Sequence, residues 1–289
     1  MKKAMLVLML ASLFPVLTPG RDAYRLEKKD SVSQVIQFSP PEKAKTVTID
    51  NVFGSITVSG VKTNEVRLQA RKSLRADSEA DLLKAEQDVT LSIAEKDNRL
   101  DIYVDGPFRR RDGSTDGTDH DYIATFDFTL QVPEQTSLIL KTVTEGNILV
   151  QHVEGDFTIR NVNGRIELQD IAGAVSCKTV NGRIRAAFRE DPLTACAFTT
   201  VNGDLDVRFG PGLAADFQLK TLNGEIYTDY ANSTYLPVKA EVKSSAHQGR
   251  YVYRSKRSQG VRVGTGGPEI RMETINGDIV IANKNKKGE

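Results

Sequence analysis

Gly146-Asn147-Ile148-Leu149-Val150-Gln151-His152-Val153-Glu154-Gly155-Asp156-Phe157-Thr158-Ile159-Arg160-Asn161-Val162-Asn163-Gly164-Arg165-Ile166 decides how this chain folds. A glycine recurs every nine positions, at Gly146, Gly155, Gly164, Gly173 and Gly182, and apolar residues follow each one at the second, fourth and seventh places. After Gly146 these are Ile148, Val150 and Val153; after Gly164 they are Ile166, Leu168 and Ile171. Alternation of this kind describes a strand with one buried face, and each glycine marks a corner between strands. Nine residues make one strand and one corner, so eighteen return the chain to the same side.

Outward from this segment the same phrase recurs as Asn161-Val162-Asn163-Gly164, Thr179-Val180-Asn181-Gly182, Thr200-Val201-Asn202-Gly203, Thr221-Leu222-Asn223-Gly224 and Thr274-Ile275-Asn276-Gly277, with an echo at Asn51-Val52-Phe53-Gly54. The spacing lengthens to 21 residues from Gly182 to Gly203 and from Gly203 to Gly224. Bulges at Asp191-Pro192-Leu193 and Gly210-Pro211-Gly212 take up the extra length. A repeat at this period predicts an all-β fold, a β-solenoid of stacked 18–21-residue coils about 4.8 Å apart. Asn-Gly pairs suit corners that need φ > 0. The Asn and Thr columns are read as ladders satisfying corner backbone groups, in preference to a ligand role. Val47, Ile49, Val52, Ile56, Val58 and Val61 make Thr46–Val61 the first coil.

Taken in chain order, the residue after each corner glycine reads Arg165, Arg183, Asp204, Glu225, Asp278, and two places on it reads Glu167, Arg185, Asp206, Tyr227. Opposite charges thus neighbour one another, as in Glu167–Arg185–Asp206, which describes a solvated sheet face better than a glycosidase carboxylate pair.

The ends and composition set further bounds. Residues 1–20 read as an export signal: Lys2 and Lys3, an apolar run from Ala4 to Leu17, then Thr18-Pro19-Gly20. The run is shorter than the ~20 residues of a membrane-spanning helix, and no later segment could span as a helix. Removing residues 1–20 takes two lysines and no acid, so the net charge goes from +1 to +1 − 2 = −1. A near-neutral chain argues against nucleic acid. Cys177 and Cys196 are too few for a disulfide scaffold. Aligning coils by Gly182 and Gly203 sets Cys196 beside Val175, about 8 Å from Cys177 on strand spacings, which disfavours a bridge. Tryptophan is absent, a thin supply for ring stacking on sugars.

From Lys62 to Leu140 the repeat is interrupted. Val66, Leu68 and Ala70 alternate as a strand, and Ser78-Glu79-Ala80-Asp81 opens a helix over 78–88. A hairpin turns at Lys96-Asp97-Asn98, and a long strand carries Tyr122, Ala124, Phe126, Phe128, Leu130 and Val132 to Pro133. This small α/β excursion caps the first coil, whose open end would expose unpaired strand edges. Asp112, Ser114, Asp116 and Gly117 match the opening of a calcium loop, but Ile123 stands where the closing Glu belongs. A solvated loop is preferred there. Residues 230–262 form a second insert, with Tyr251 and Tyr253 on a strand and Arg250, Arg254, Lys256 and Arg257 as a basic patch. The expected organisation is a signal peptide at 1–20, an N-terminal segment at 21–45, a solenoid domain at 46–282, and a frayed tail at 283–289.

Thr-Val-Asn-Gly-Arg-Ile, Thr-Val-Asn-Gly-Asp-Leu and the closing Gly-Gly-Pro-Glu-Ile-Arg-Met-Glu-Thr-Ile-Asn-Gly-Asp-Ile resemble the bacterial "putative adhesin" domain family over residues 46–282. The resemblance implies an exported or envelope β-solenoid and supplies no catalytic residues.

The residues singled out are therefore structural corner residues: Gly54, Gly146, Gly155, Asn163, Gly164, Gly173, Asn181, Gly182, Asn202, Gly203, Asn223, Gly224, Asn276 and Gly277. His120, His152 and His247 lack metal-ligand spacing, and no G-x-S-x-G elbow occurs. Gly264-Thr265-Gly266-Gly267 lacks the Lys-Ser or Lys-Thr of a phosphate loop. The expectation is a non-enzymatic exported scaffold or adhesin, periplasmic or at the cell surface, needing no cofactor and binding an envelope polymer or protein. The alternatives are an envelope-stress sensor with a protein partner and, behind it, a carbohydrate-active β-helix enzyme.

Overall fold

The computed structural model describes residues 24–39, 43–110, 121–144, 146–236, 241–247, 250–256 and 259–286. The export-signal reading of residues 1–20 and the calcium reading of Asp112, Ser114 and Asp116 lie outside these. The described chain is nearly all β, with one helix, and none of it is a helix long and apolar enough to cross a membrane. It divides into two compact units, residues 1–155 with 159–164 and residues 156–158 with 165–289.

The first unit holds β1 (Leu26–Gln37), β2 (Thr46–Asp50), β3 (Ile56–Val61), β4 (Glu65–Ala76) and α1 (Glu79–Asp88). They are followed by β5 (Thr90–Lys96), β6 (Arg99–Asp105), β7 (Tyr122–Pro133), β8 (Ser137–Lys141) and β9 (Ile148–Gln151), and β10 (Phe157–Arg160) falls on the division. Two mixed sheets result, ordered β1-β4-β7-β3-β9 and β8-β2-β6-β5. Val47, Ile49, Ile56 and Val58 of β2 and β3 are all buried, as the alternation requires. Ile56 pairs in parallel with Phe128 on one side and Ile148 on the other, and Ile49 with Ile102 and Leu140. The excursion thus covers one edge of the first repeat with β6 and β7. Its expected end at Leu140 is too late, because Ser137–Lys141 already form β8 of the next repeat.

Local chemistry sets the excursion's elements. Ser78 caps α1, its Oγ accepting from the Asp81 amide at 3.1 Å and donating to Asp81 Oδ2 at 2.5 Å. Asp97 (φ 53°) and Asn98 (φ 63°) make the two-residue turn between β5 and β6, and Asn98 Oδ1 also accepts the Ser39 amide at 2.7 Å. Within the N-terminal segment 21–45, Leu26–Gln37 pair antiparallel with β4 over their whole length, from Leu26↔Ala76 to Gln37↔Glu65. Lys28, Asp30 and Gln34 sit on the inward-facing positions of β1, which hides its alternation.

The second unit holds β11 (Ile166–Ile171), β12 (Val175–Lys178), β13 (Ile184–Phe188), β14 (Cys196–Thr199), β15 (Leu205–Phe209) and β16 (Ala215–Lys220). It continues with β17 (Ile226–Thr228), β18 (Ser233–Leu236), β19 (Glu241–His247), β20 (Arg250–Lys256), β21 (Gln259–Val263), β22 (Glu269–Glu273) and β23 (Ile279–Asn283). One sheet is parallel throughout, β11-β13-β15-β23-β17, with Ile166, Ile184, Leu205, Ile279 and Ile226 in one row. The other is ordered β12-β14-β22-β16-β21-β18, with Cys177, Phe198, Met272 and Leu219 in one row. Phe188, Phe209, Phe198 and Phe217 interlock in this unit's core, Phe188 and Phe209 stacked at 5.1 Å. Among the described residues β19 and β20 pair only with each other.

Stacking in chain order is corrected here. The last repeat enters between the Gly203 and Gly224 repeats, so the post-corner row runs Asp204, Asp278, Glu225 and not Asp204, Glu225, Asp278. The insert is the cause. β21 returns antiparallel along one edge of β16 and pairs there with β18. The turn at Gly264 (φ 63°) and Gly266 (φ 77°) then carries the chain across to the free edge of β16, the edge left for β22. Glu167↔Arg185↔Asp206 does fall in register as read, with Arg185 Nε 3.3 Å from Asp206 Oδ2.

The tail is also corrected: through Lys286 it is held, not frayed. The Lys284 amide donates to Phe209 O at 2.9 Å, its Nζ to Arg189 O at 2.6 Å, and Lys286 Nζ to Asp229 O at 2.8 Å. The two lysines satisfy carbonyls at strand ends.

Candidate functional site

The repeated phrase ties neighbouring copies of itself together through its own side chains. Its first residue, buried except at the half-buried Thr221, donates to the corner carbonyl of the neighbouring repeat: Thr142 Oγ1 to Gly54 O (2.8 Å), Thr200 to Gly182 O (2.9 Å), Thr274 to Gly203 O (3.0 Å) and Thr221 to Gly277 O (2.9 Å). Where the phrase begins with Asn the amide does the same work, Asn161 Nδ2 reaching Gly146 O at 2.8 Å. Asn51 Nδ2 reaches Phe126 O at 2.9 Å in the first repeat. The third residues form an asparagine ladder in which Asn202 donates to Asn181 (2.7 Å), Asn276 to Asn202 (2.6 Å) and Asn223 to Asn276 (2.7 Å). Backbone bonds run parallel to it, from Gly182 N to Asn202 O (2.9 Å) and Gly203 N to Asn276 O (2.8 Å). Asp278 Oδ1 takes the Glu225 amide and Asp204 Oδ1 the Asp278 amide, so these outward acids are also structural.

The glycine column owes more to space than to φ. Gly54 and Gly173 take the positive φ expected (108° and 117°). At Gly203 the deciding fact is that a Cβ would stand 2.2 Å from Gly182 O. Gly277 and Gly224 meet the same obstacle at 2.1 and 2.0 Å, each against the carbonyl of the repeat beside it. Asn163 joins the pattern through its amide, which donates to Val143 O at 2.9 Å, and Gly155 stands with its Cβ position 2.6 Å from Thr136 O.

No reactive group is activated at the positions singled out. Cys177 and Cys196 are free and buried, with the register that set Cys196 beside Val175. Burial pushes both thiols up, away from the thiolate a nucleophile needs. Tyr122 and Tyr230 are likewise pushed up, chiefly by burial; their hydroxyls donate to Asp88 Oδ2 (3.0 Å) and Gly210 O (2.7 Å). Among the described residues no three of His, Cys, Asp and Glu gather where a metal could sit.

A concavity lies elsewhere, on the outward face of the antiparallel β1-β4-β7 ribbon. One groove of about 630 Å³ is lined by Ser33, Gln34, Val35, Arg67, Gln69 and Gln131, with Leu68 and Thr129. A second, of about 410 Å³, continues along the same strands past Ser31, Arg71, Ser73 and Asp127. Cross-strand register builds the lining in rows: Ser33–Gln69–Thr129, Val35–Arg67–Gln131 and Ser31–Arg71–Asp127. Two of its cations hold acids, Arg67 with Glu65 (Nε to Oε1 2.7 Å) and Lys29 with Glu27 (2.9 Å), while Arg71 is the register neighbour of Asp127, whose Oδ1 accepts the Ser55 amide at 2.9 Å. The Lys29 hydrogen bond, helped by Ser73 Oγ at 2.8 Å, holds the Glu27 carboxyl below its usual range. Lys72 is pushed down by burial while its Nζ donates to Val89 O at 3.2 Å.

Sequence reasoning missed this groove because β1 was not recognised, and its three strands come from 26–37, 65–76 and 122–133. The usable signal was the alternation of polar residues on β4, Arg67, Gln69, Arg71 and Ser73, against buried Val66, Leu68, Ala70 and Leu74.

No family model and no curated protein matches the chain. Among solved structures it is similar to a "putative cell adhesion protein" from Clostridium sporogenes, with TM-score 0.41 and 10% identity, covering 87% of this chain and 99% of the other. A "putative lipid binding protein" from Parabacteroides distasonis gives TM-score 0.34 and 10% identity, over 88% of this chain and 96% of the other. A "putative adhesin" from Parabacteroides merdae gives TM-score 0.25 and 10% identity, over 88% and 95%.

Proposed function

We propose that this is an exported, non-enzymatic binding protein of the cell envelope, an adhesin or scaffold, whose repeats wind as a β-solenoid. The observation that carries the reading is a division of labour among polar groups. Those of the repeated phrase are consumed between repeats, as in Thr274 to Gly203 and Asn276 to Asn202. Those of Ser33, Gln69, Thr129 and Gln131 are exposed and spend no side-chain hydrogen bond among the described residues. A stiff stack presenting an open polar face suits holding a polymer or a partner. Open grooves without an activated nucleophile suit binding better than turnover.

The test is a titration of the purified chain against isolated envelope fractions. Saturable retention by at least one fraction is expected, and indifference to all of them would sink the reading.

One observation favours a second reading, a sensor that contacts a protein through the insert. β18 and β21 pair directly (Ser233↔Val263 to Leu236↔Gly260), so the β19–β20 hairpin between them is not part of any other sheet. Replacing residues 237–258 by a short turn should leave melting unchanged; loss of signalling in that variant would move the function to the hairpin.

A further inference from the structure

We infer that the groove across β1, β4 and β7 binds a neutral, hydroxyl-rich polysaccharide lying along the strands. The inference rests on the binding-protein reading above and adds to it a site and a ligand class. Shape comes first. The two adjoining hollows run from Arg67 to Ser73 along β4, six residue steps, or about 20 Å at 3.4 Å per residue. A trough of that length suits an extended chain better than a compact small molecule.

Chemistry narrows the class. Ser31, Ser33, Ser73 and Thr129 bring hydroxyls, and Gln69 and Gln131 bring primary amides. Each such group both donates and accepts, as sugar hydroxyls do. Two of the cations on the face already hold acids, Arg67 with Glu65 and Lys29 with Glu27. A polyanion would have to break these pairs, whereas a neutral chain leaves them whole. Val35, exposed at 55%, supplies an apolar contact for sugar C–H faces. No aromatic ring lines either hollow, so affinity comes from hydrogen bonds summed along the chain and not from stacking. An extended peptide would be held by main-chain pairing at a strand edge, whereas this trough lies on the face of the ribbon, among the side chains of Ser33, Gln69 and Gln131.

The test uses affinity electrophoresis and calorimetry of the whole chain with dextran, mannan and a soluble β-glucan, with dextran sulfate as the charged comparison. At least one neutral polymer should bind, and Gln69→Ala with Gln131→Ala should weaken it about tenfold with unchanged melting, since both side chains are exposed. Ala197→Ser, on a different outward face, should bind like the parent. Absence of binding to every neutral polymer, preference for dextran sulfate, or full binding by the double variant would each overturn the inference. The same double variant titrated against envelope fractions separates the two claims. Retained envelope binding leaves the binding-protein reading standing and removes the groove, whereas a parent chain that binds no fraction removes the reading itself.

Discussion

Gly203→Ala is the sharpest perturbation of the connector between repeats. The new methyl would sit 2.2 Å from Gly182 O, 2.5 Å from Gly182 C and 2.9 Å from Arg183 N, so neither backbone can stay in place. Relief requires the two repeats to part by roughly 1 Å, judged from ordinary carbon–oxygen contacts. That movement breaks or lengthens the bonds that join them here: Gly182 N to Asn202 O (2.9 Å), Asn202 N to Val180 O (2.8 Å), Ile184 N to Asp204 O (2.9 Å) and Thr200 Oγ1 to Gly182 O (2.9 Å). Losing two of the four, with a carbonyl left unsatisfied, costs about 3–5 kcal/mol. For a unit of this size that lowers Tm by about 10 °C. Arg183→Ala, at the exposed position after Gly182, is the control and should cost under about 0.5 kcal/mol. Urea unfolding of both variants, with the m-value checked for a change in mechanism, gives the comparison. A Gly203→Ala cost below about 1 kcal/mol, or one equal to the control, would refute the claim that carbonyl approach fixes the glycine column.

Thr274→Val keeps the volume but removes the bond to Gly203 O, and at 3% exposure water cannot replace it. A loss of about 1–2 kcal/mol is expected in the same assay, largely recovered by Thr274→Ser. Native protein should resist Ellman's reagent at pH 8 and titrate two thiols only on unfolding, because Cys177 and Cys196 are buried and free. Burial holds these thiols above the ordinary 9.0, and the Tyr122 and Tyr230 hydroxyls above the ordinary 10.0. Above those values the unfolded chain ionises and the folded chain does not, so stability is full below about pH 9 and falls as pH rises past it. Stability that stays flat from pH 8 to 11 would contradict this.

Much of the scaffold was legible in the sequence. The apolar places after Gly146 and Gly164 are buried strand faces, and Thr46–Val61 is the first repeat, because a period of two leaves the register no freedom. The capping of α1 by Ser78 and the turn at Asp97-Asn98 were readable because each depends on neighbours in the chain. What escaped depends on distant partners. β1 presents Lys28, Asp30 and Gln34 toward its inward side, so no local pattern announced it. The groove needs three strands from separate stretches. The order of the last two repeats could not be read because Thr221-Leu222-Asn223-Gly224 and Thr274-Ile275-Asn276-Gly277 offer the same donors and acceptors. Only the antiparallel return of β21 beside β16 distinguishes them.

Cysteine cross-linking tests the connector and its spatial order together, in a background where Cys177 and Cys196 are replaced by Ala. Asp206 and Val280 are register partners on adjacent parallel strands, and Val280 separates Asp206 from Tyr227. At about 4.8 Å per strand the first pair is within disulfide reach, and Asp206 with Tyr227, two strands apart at about 10 Å, is not. Rapid oxidation of Asp206→Cys with Val280→Cys, and none of Asp206→Cys with Tyr227→Cys, is the predicted result. The reverse pattern would mean that the repeats stack in chain order and that the asparagine ladder through Asn276 is wrong.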